Sequence, residues 1–499
     1  MDPVTLQVMV GALRAACDEM GVVLVRSAHS ANVKERRDAS TGLFDAAGDM
    51  VMQAEHIPVH LGAMPLAVAA VLGEEQRPGD AWILNDPYRG GTHLPDITLI
   101  SPIFCSGELA GFAASRAHHA DVGGRLPGSM PADSHTLEEE GVVIPPSRLV
   151  AEGKLDEDLL ADLTGRMRNP DQRRADLRAQ LAAGRTGDAR VTELVDRHGL
   201  DLVREAMRET LDYAERRTRA RIDEIEDGVR EATDVLEAPE GDLELRLRAS
   251  VEGDELRLDF SGSAEQHDGN LNCPLAVTMS ACYFAVRVLT DPDVPPCAGA
   301  YRPVTVVAPE GSLLNARPPH AVVAGNVETS SRVADLVLAA FGRALGQGTM
   351  NNLTLGNDRF TYYETLGGGQ GACPDADGPN AVHVAMSNTL NTPVEALELE
   401  FPLRAVEYAV RRGSGGGGGH RGGDGVVREL EALDEMSFSL ITERRRHAPP
   451  GTDGGQPGRP GRNLLNGDEL EPKASGMLRA GDRLRIETPG GGGHGRQRG

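Results

Sequence analysis

The apolar positions of this chain change their period along its length, and each change marks a new kind of element. From Pro3 to about Ser27 they fit a helix, with Asp2 as its cap and proline in its first turn. Residues 31–150 carry short apolar runs broken by Gly and Pro, which read as strands. Among them, Ile97–Ile100 and Leu109–Ala114 predict two buried strands joined by a tight turn around Ser106-Gly107-Glu108, which would carry His118 back towards His93 and Asp96. From 155 to 237 the composition shifts to charged helix formers. Asn169-Pro170-Asp171-Gln172 is a helix start, and Leu200, Val203, Met207, Leu211 and Ala214 form one apolar stripe that Ile222, Ile225, Val229, Ala232 and Leu236 extend. The pattern predicts a long helical arm whose apolar face is core or subunit interface. Strict alternation then appears at Leu243, Leu245, Leu247 and again at Leu256, Leu258, Phe260, a hairpin turning at Gly253-Asp254. Helices follow at about Ala276–Thr290 and Glu328–Leu345, and strands with Gly-rich loops beyond Asn351. The expectation is a mixed α/β (α+β), multi-lobed chain. Its divisions are 1–150 (β-rich, with the candidate metal site), 151–238 (helical arm), 239–350 (hairpin and helices) and 351–499 (Gly-rich).

The chemistry gathers in the first division. Asn85–Asp96 and Arg116–Asp121 crowd imidazoles and carboxylates into a segment too rich in Gly and Pro for ordinary core. Gly90 and Gly91 permit a tight turn, and Pro95 keeps Leu94 extended, so His93 and Asp96 occupy a fixed loop. Two imidazoles and a carboxylate converging on one point suit a borderline divalent metal. His118 and His119 are adjacent, so on an extended segment they point to opposite faces and only one coordinates; spacing leaves the choice open. His56 and His60 flank Pro58. On a strand they share a face and either hold substrate or a proton in one cavity, or bond backbone carbonyls. Asp121 is either a partner fixing an imidazole or a turn residue before Gly123-Gly124. Gly367–Gly371 lacks the Lys-Ser or Lys-Thr of a phosphate loop, though its amides could form an anion-binding nest. Ser261 reads as a turn residue, and the runs Gly415–Gly419 and Gly490–Gly493 read by composition as linkers.

Composition narrows the partners. With 51 Lys plus Arg against 75 Asp plus Glu, the net charge is −24, which argues against nucleic acid and anionic membranes. Its 499 residues can hold two or three packed units. No apolar run is long enough to span a bilayer, the chain opens without a basic-then-apolar leader, and the 6 cysteines include no Cys-x-x-Cys pair. A cytoplasmic setting is expected.

The ordered motifs Lys34–Ser40, His56–Met64, Asn85–Asp96 and His118–Gly124 resemble those of the hydantoinase B/oxoprolinase family. Asp259–Ser263, Arg302-Pro303, Gly325–Ser330, Glu364–Gly369, Ser414–Gly416 and Arg421–Gly425 continue the resemblance along nearly the whole chain. It implies a B-type component related to enzymes acting on hydantoins, 5-oxoproline and caprolactam, and more distantly to ketone carboxylases. It adds Asp38 to the metal set, selects His118 over His119, and so gives Asp38, His93, Asp96 and His118 as ligands for zinc, manganese or iron. His60 or Asp121 would then move the proton. It also implies that the Gly-rich runs belong to the fold, and that ATP is handled by a separate hydantoinase A-type subunit in a hetero-oligomer. On that footing the chain would hydrolyse a cyclic amide activated by phosphorylation. The alternatives are a ketone carboxylase subunit and a non-catalytic scaffold for the A-type chain.

Overall fold

The structure, a computed structural model, describes residues 1–55 and 57–497; His56 lies outside the described residues. Helix α1, Pro3–Ser27, starts as expected, with Asp2 accepting hydrogen bonds from the Val4 and Thr5 amides. Seven strands follow: β1 (Ala39–Asp45), β2 (Met50–Glu55), β3 (Ala81–Leu84), β4 (Asp96–Cys105), β5 (Glu108–His118), β6 (Ser147–Ala151) and β7 (Lys154–Leu155). They form one antiparallel sheet in the order β2-β1-β5-β4-β3-β6-β7. The β4–β5 turn is the anticipated one: Ser106 and Gly107 both have positive φ, 54° and 84°, as a two-residue hairpin of right-handed twist requires. That turn sets the register, and the register sets Asp96 directly opposite His118.

Helix α2 (Pro170–His198) lies across β4, β5 and α1, close enough that a Cβ on Gly187 would sit 2.7 Å from Met20 Sδ and 2.8 Å from Ala113 Cβ. Helix α3 (Leu200–Ile222) carries the sequence stripe, but the chain covers that stripe itself. Val203 and Met207 pack into the core under α1, while Leu211 and Ala214 pack on Cys297, Ala300 and Tyr301. This is no projecting arm. The extension to Leu236 is also corrected: the helix ends at Ile222, and Gly228–Ala238 is strand β8. It pairs with β9 (Gly241–Glu252) along its whole length, from Gly228 opposite Val251 to Ala238 opposite Gly241. A full ladder of interstrand bonds outweighs a helical spacing of four apolar residues.

The predicted hairpin β9–β10 (Glu255–Asp259) is present, and β11 (Val304–Val307) adds in parallel, giving the order β11-β10-β9-β8. Helices α4 (Leu275–Leu289) and α5 (Ser330–Ala340) share its core. The second of these differs from expectation at both ends. It is entered through a π-helical turn, Gly325–Thr329, and stops at Ala340, ahead of Gly342 with φ 72°. Two further sheets complete the chain, one built on Asn352–Gly356 and Thr361–Glu364, the other on Leu403–Arg411 and Gly425–Ala432. The architecture is mixed α/β with several sheets. Among the described residues no helix is long and apolar enough to cross a membrane, and all six cysteines are free.

The glycine runs are not linkers. Residues 367–371, 414–423, 451–458 and 489–495 interleave backbone against backbone. A Cβ on Gly415 would meet Gly422 O at 1.9 Å, one on Gly422 would meet Gly491 O at 2.0 Å, and one on Gly491 would meet Gln370 O at 2.1 Å. The nest reading of Gly367–Gly371 falls for the same reason. The Gly368, Gly369 and Gln370 amides donate to Val382, Pro489 and Pro379 carbonyls rather than facing an anion.

Candidate metal centre

Three strand ends meet at one edge of the first sheet. β1 begins just after Asp38, β4 begins at Asp96 and β5 ends at His118. Because β5 runs antiparallel to both neighbours, these ends fall side by side, with the His118 amide bonded to the Asp38 carbonyl. His93 arrives from the loop before β4. Gly90 (φ 96°) allows that loop to turn against the Leu66 carbonyl, and Asn85 pins it by donating to the Leu94 and Val142 carbonyls while accepting from the Ile144 amide. The Asp96 amide closes the turn onto the His93 carbonyl.

The resulting geometry is tight. His93 Nε2 lies 3.2 Å from His118 Nδ1 and 3.2 Å from Asp96 Oδ1, and His118 Nδ1 lies 3.3 Å from the same oxygen. Ligands of a tetrahedral ion at about 2.0–2.1 Å stand roughly 3.3–3.4 Å apart, so this triangle has the edge of a metal site. His93, Asp96 and His118 form a buried set whose donor atoms all lie within 4.8 Å of one another. Asp38 lines the same cavity but is not in that set.

Electrostatics agree with the donor chemistry. Burial alone would push Asp96 up, but His93, His118 and His60 hold it well below the usual carboxylate range. Burial pushes His118 and His60 down, against the pull of Asp96. A charged carboxylate beside neutral imidazoles is the ionisation state that metal ligands need. Asp38 is raised by burial, with His118 and Arg36 opposing.

The other sequence candidates separate clearly. His60 sits in a 3-10 turn, Pro58–His60, and not on a strand. It still faces the centre, with Nδ1 2.8 Å from Ser40 Oγ and Nε2 3.5 Å from Asp96 Oδ2. His119 points the opposite way, its Nε2 2.9 Å from Gln180 Oε1 on α2. Asp121 is a structural residue. It accepts from the Gly123, Gly128 and Arg168 amides and from the Arg168 guanidinium, which braces the loop after β5 and gives it no proton to move at the centre.

Sequence reasoning gave no role to Tyr363, Arg36 or Asn326. The Tyr363 ring stacks on His118 with centroids 4.4 Å apart, and Arg36 lies 4.6 Å over the same ring from a cation–π position. Arg36 is itself held by Asn32, the Tyr363 carbonyl, Thr365 and Thr389. Arg36 and Asn326 lie within motifs, yet nothing in a motif says that residues more than three hundred positions apart will clamp one imidazole. The cavity beside the cluster measures about 20 Å³, enough for about one water. Beyond it lies a larger chamber of about 490 Å³, and Ser387 and Asn388 line both.

A family model described as hydantoinase B/oxoprolinase matches residues 2–497. The chain is 38% identical to the 5-oxoprolinase of Dictyostelium discoideum over 100% of its own length but only 40% of that protein's, so it spans about two fifths of that relative. It is 30% identical to the B component of a putative D-/L-hydantoinase from a Pseudomonas species, covering 99% of this chain and 90% of that one. The crystal structure of an ATP-dependent caprolactamase from Pseudomonas jessenii superposes with a TM-score of 0.93 at 29% identity, over 99% of this chain and 91% of the other. An acetone carboxylase structure shares the fold alone, with 20% identity and a TM-score of 0.89 over 99% and 76% of the two chains.

Proposed function

The chain belongs to the hydantoinase B/oxoprolinase family, and from that premise we propose that it is the metal-dependent, ring-opening subunit of an ATP-dependent cyclic amidohydrolase. The observation that carries the reading is the triangle of His93 Nε2, Asp96 Oδ1 and His118 Nδ1. His93, Asp96 and His118 hold the ion, zinc, manganese or iron, with Asp38 as the fourth candidate from the same cavity. Such an ion, when bound, lowers the pKa of a coordinated water to about 7 or polarises a carbonyl oxygen.

The chain's own residues supply the rest. Tyr363 and Arg36 fix the plane of the His118 ring, and Thr92 donates to Asp96 Oδ2 at 2.6 Å, which leaves Oδ1 for the cluster. His60, buried and neutral with its Nε2 turned to Asp96, is the proton carrier at the cavity. Water adds its oxygen to the amide carbon, the carbon–nitrogen bond breaks, and the nitrogen leaves with a proton. An amide resists this attack through resonance. ATP-derived phosphorylation of its oxygen, on an A-type partner chain, removes that resistance. The Pseumodonas-type arrangement, in which the hydantoinase relative is named as one component of a larger enzyme, supports a partner in trans. The setting is cytoplasmic.

Cyclic amide hydrolysis is favoured over ketone carboxylation because the hydantoinase and caprolactamase relatives match at 30% and 29% identity, and the acetone carboxylase at 20%. The test is purification with the neighbouring ATP-binding chain, elemental analysis, and turnover of 5-oxoproline, hydantoin and caprolactam. One divalent ion per chain is expected in the wild type, with ion and turnover both lost in His93→Ala and Asp96→Ala while the circular dichroism spectrum persists. Full metal occupancy in both variants would overturn the site.

A further inference from the structure

The motif Gly325–Ser330 forms the π-helical turn that enters α5, a wide turn found mostly at functional sites. It is rigidly held. A Cβ on Gly325 would meet the Asn272 carbonyl at 1.8 Å, the Gly325 amide donates to the Asn270 carbonyl, and Thr329 Oγ1 donates to the Leu271 carbonyl at 2.6 Å. Asn326 is fixed on this turn through its backbone, its amide donating to the Val322 carbonyl and its carbonyl accepting from Ser330 Oγ. Its side chain is different. The residue is 3% exposed and lines the small cavity with Asp38, His60, Asp96 and His118, yet its Oδ1 is buried without a hydrogen-bond partner. An unmet buried carboxamide oxygen costs about 1–3 kcal/mol, so the fold gains nothing by placing it there.

The chemistry of a cyclic amide identifies what meets it. The carbon attacked at the cluster is bonded to the ring nitrogen at about 1.33 Å, so whatever shares the cavity with the cluster faces that nitrogen too. An amide nitrogen there offers N–H, and an activated imidate nitrogen offers a lone pair. A carboxamide answers either, because it carries an acceptor on one end and donors on the other.

We propose that Asn326 holds the nitrogen of the scissile carbon–nitrogen bond and so selects rings in which that nitrogen is unsubstituted. The inference rests on the ring-opening function above. A methyl group on that nitrogen removes both the N–H and the in-plane lone pair, so it deletes the contact from the substrate side, as Asn326→Ala deletes it from the protein side.

The experiment uses the chain with its ATP-binding partner. Whichever of 5-oxoproline, hydantoin or caprolactam turns over is compared with its analogue methylated on the scissile nitrogen, in wild type and Asn326→Ala. A site built to hydrogen-bond its substrate loses on the order of 100-fold or more in kcat/KM when the partner group is removed. The wild type should show that penalty on methylation, the variant less than about 5-fold. Metal content should be unchanged and the melting temperature equal or higher, since the variant removes an unmet polar group. An equal methylation penalty in both proteins would overturn the inference while leaving ring opening intact. A lower melting temperature with loss of metal would make Asn326 a structural residue and overturn it as well. Failure of the wild type to open any of the three rings would overturn the function and this inference together.

Discussion

Replacing Gly422 by alanine tests whether the C-terminal glycine runs are packed structure. The new Cβ would lie 2.0 Å from Gly491 O and 2.7 Å from Gly492 O. Both obstacles are backbone, so no side chain can swing aside. An ordinary carbon–oxygen contact is about 3.2 Å, and relieving the clash moves one segment by more than about 1 Å. The bonds in the way are Gly422 N to Gly416 O, Gly416 N to Gly491 O and Gly491 N to Gly423 O, each 2.9 Å. Losing one or two of them costs about 1–3 kcal/mol each, and overpacking adds about 1–3 kcal/mol. Against this stands a gain of about 0.4–1 kcal/mol from a less flexible unfolded chain. The net is a destabilisation of roughly 2–5 kcal/mol. Gly417→Ala is the control, because a Cβ there meets nothing within 4 Å. Urea unfolding midpoints, with hydrogen exchange read over 414–423, should fall for Gly422→Ala and hold for Gly417→Ala. Equal midpoints and equally fast exchange in both would show that the runs are flexible linkers.

Two further predictions concern the core. Met207→Asp and Leu211→Asp each bury an unpaired carboxylate at a side chain only 1% and 2% exposed, so each should cost several kcal/mol and lower the melting temperature, without changing the mass of the folded fraction in light scattering. A stable variant of lower mass would return this stripe to a subunit interface. Glu328 is pushed up to about 8 by burial, with Glu443 adding to the effect. Its folded form keeps a proton that the unfolded chain releases near pH 4.5. The stabilisation is therefore complete below that pH and is lost as the pH rises to about 8, at up to about 1.4 kcal/mol per pH unit. In Glu328→Gln the unfolding free energy should lose this slope; an unchanged slope would place the proton elsewhere.

What the sequence determined by itself was local. Asp2 capping α1, the Ser106-Gly107 turn and the β9–β10 hairpin all follow from neighbours within a few residues. So do the fixed loop holding His93 and Asp96, and the opposite faces of His118 and His119. Where the reading went wrong, long-range pairing had decided. Val229, Ala232 and Leu236 have helical spacing, yet the ladder to β9 made them a strand. Asp121 was drawn to Arg168, a residue on a later segment, and glycines that look flexible in isolation became the only residues able to pack backbone on backbone. The site shows the same division. Motifs named most of its ligand types, but only the antiparallel register of β1, β5 and β4 puts the ends at Asp38, His118 and Asp96 side by side. Only the packing of the chain's second half on its first brings Tyr363 and Asn326 to them. Propensity and spacing are sums over adjacent residues, whereas a site is set by contacts between residues hundreds of positions apart, whose geometry exists only once the sheets have paired.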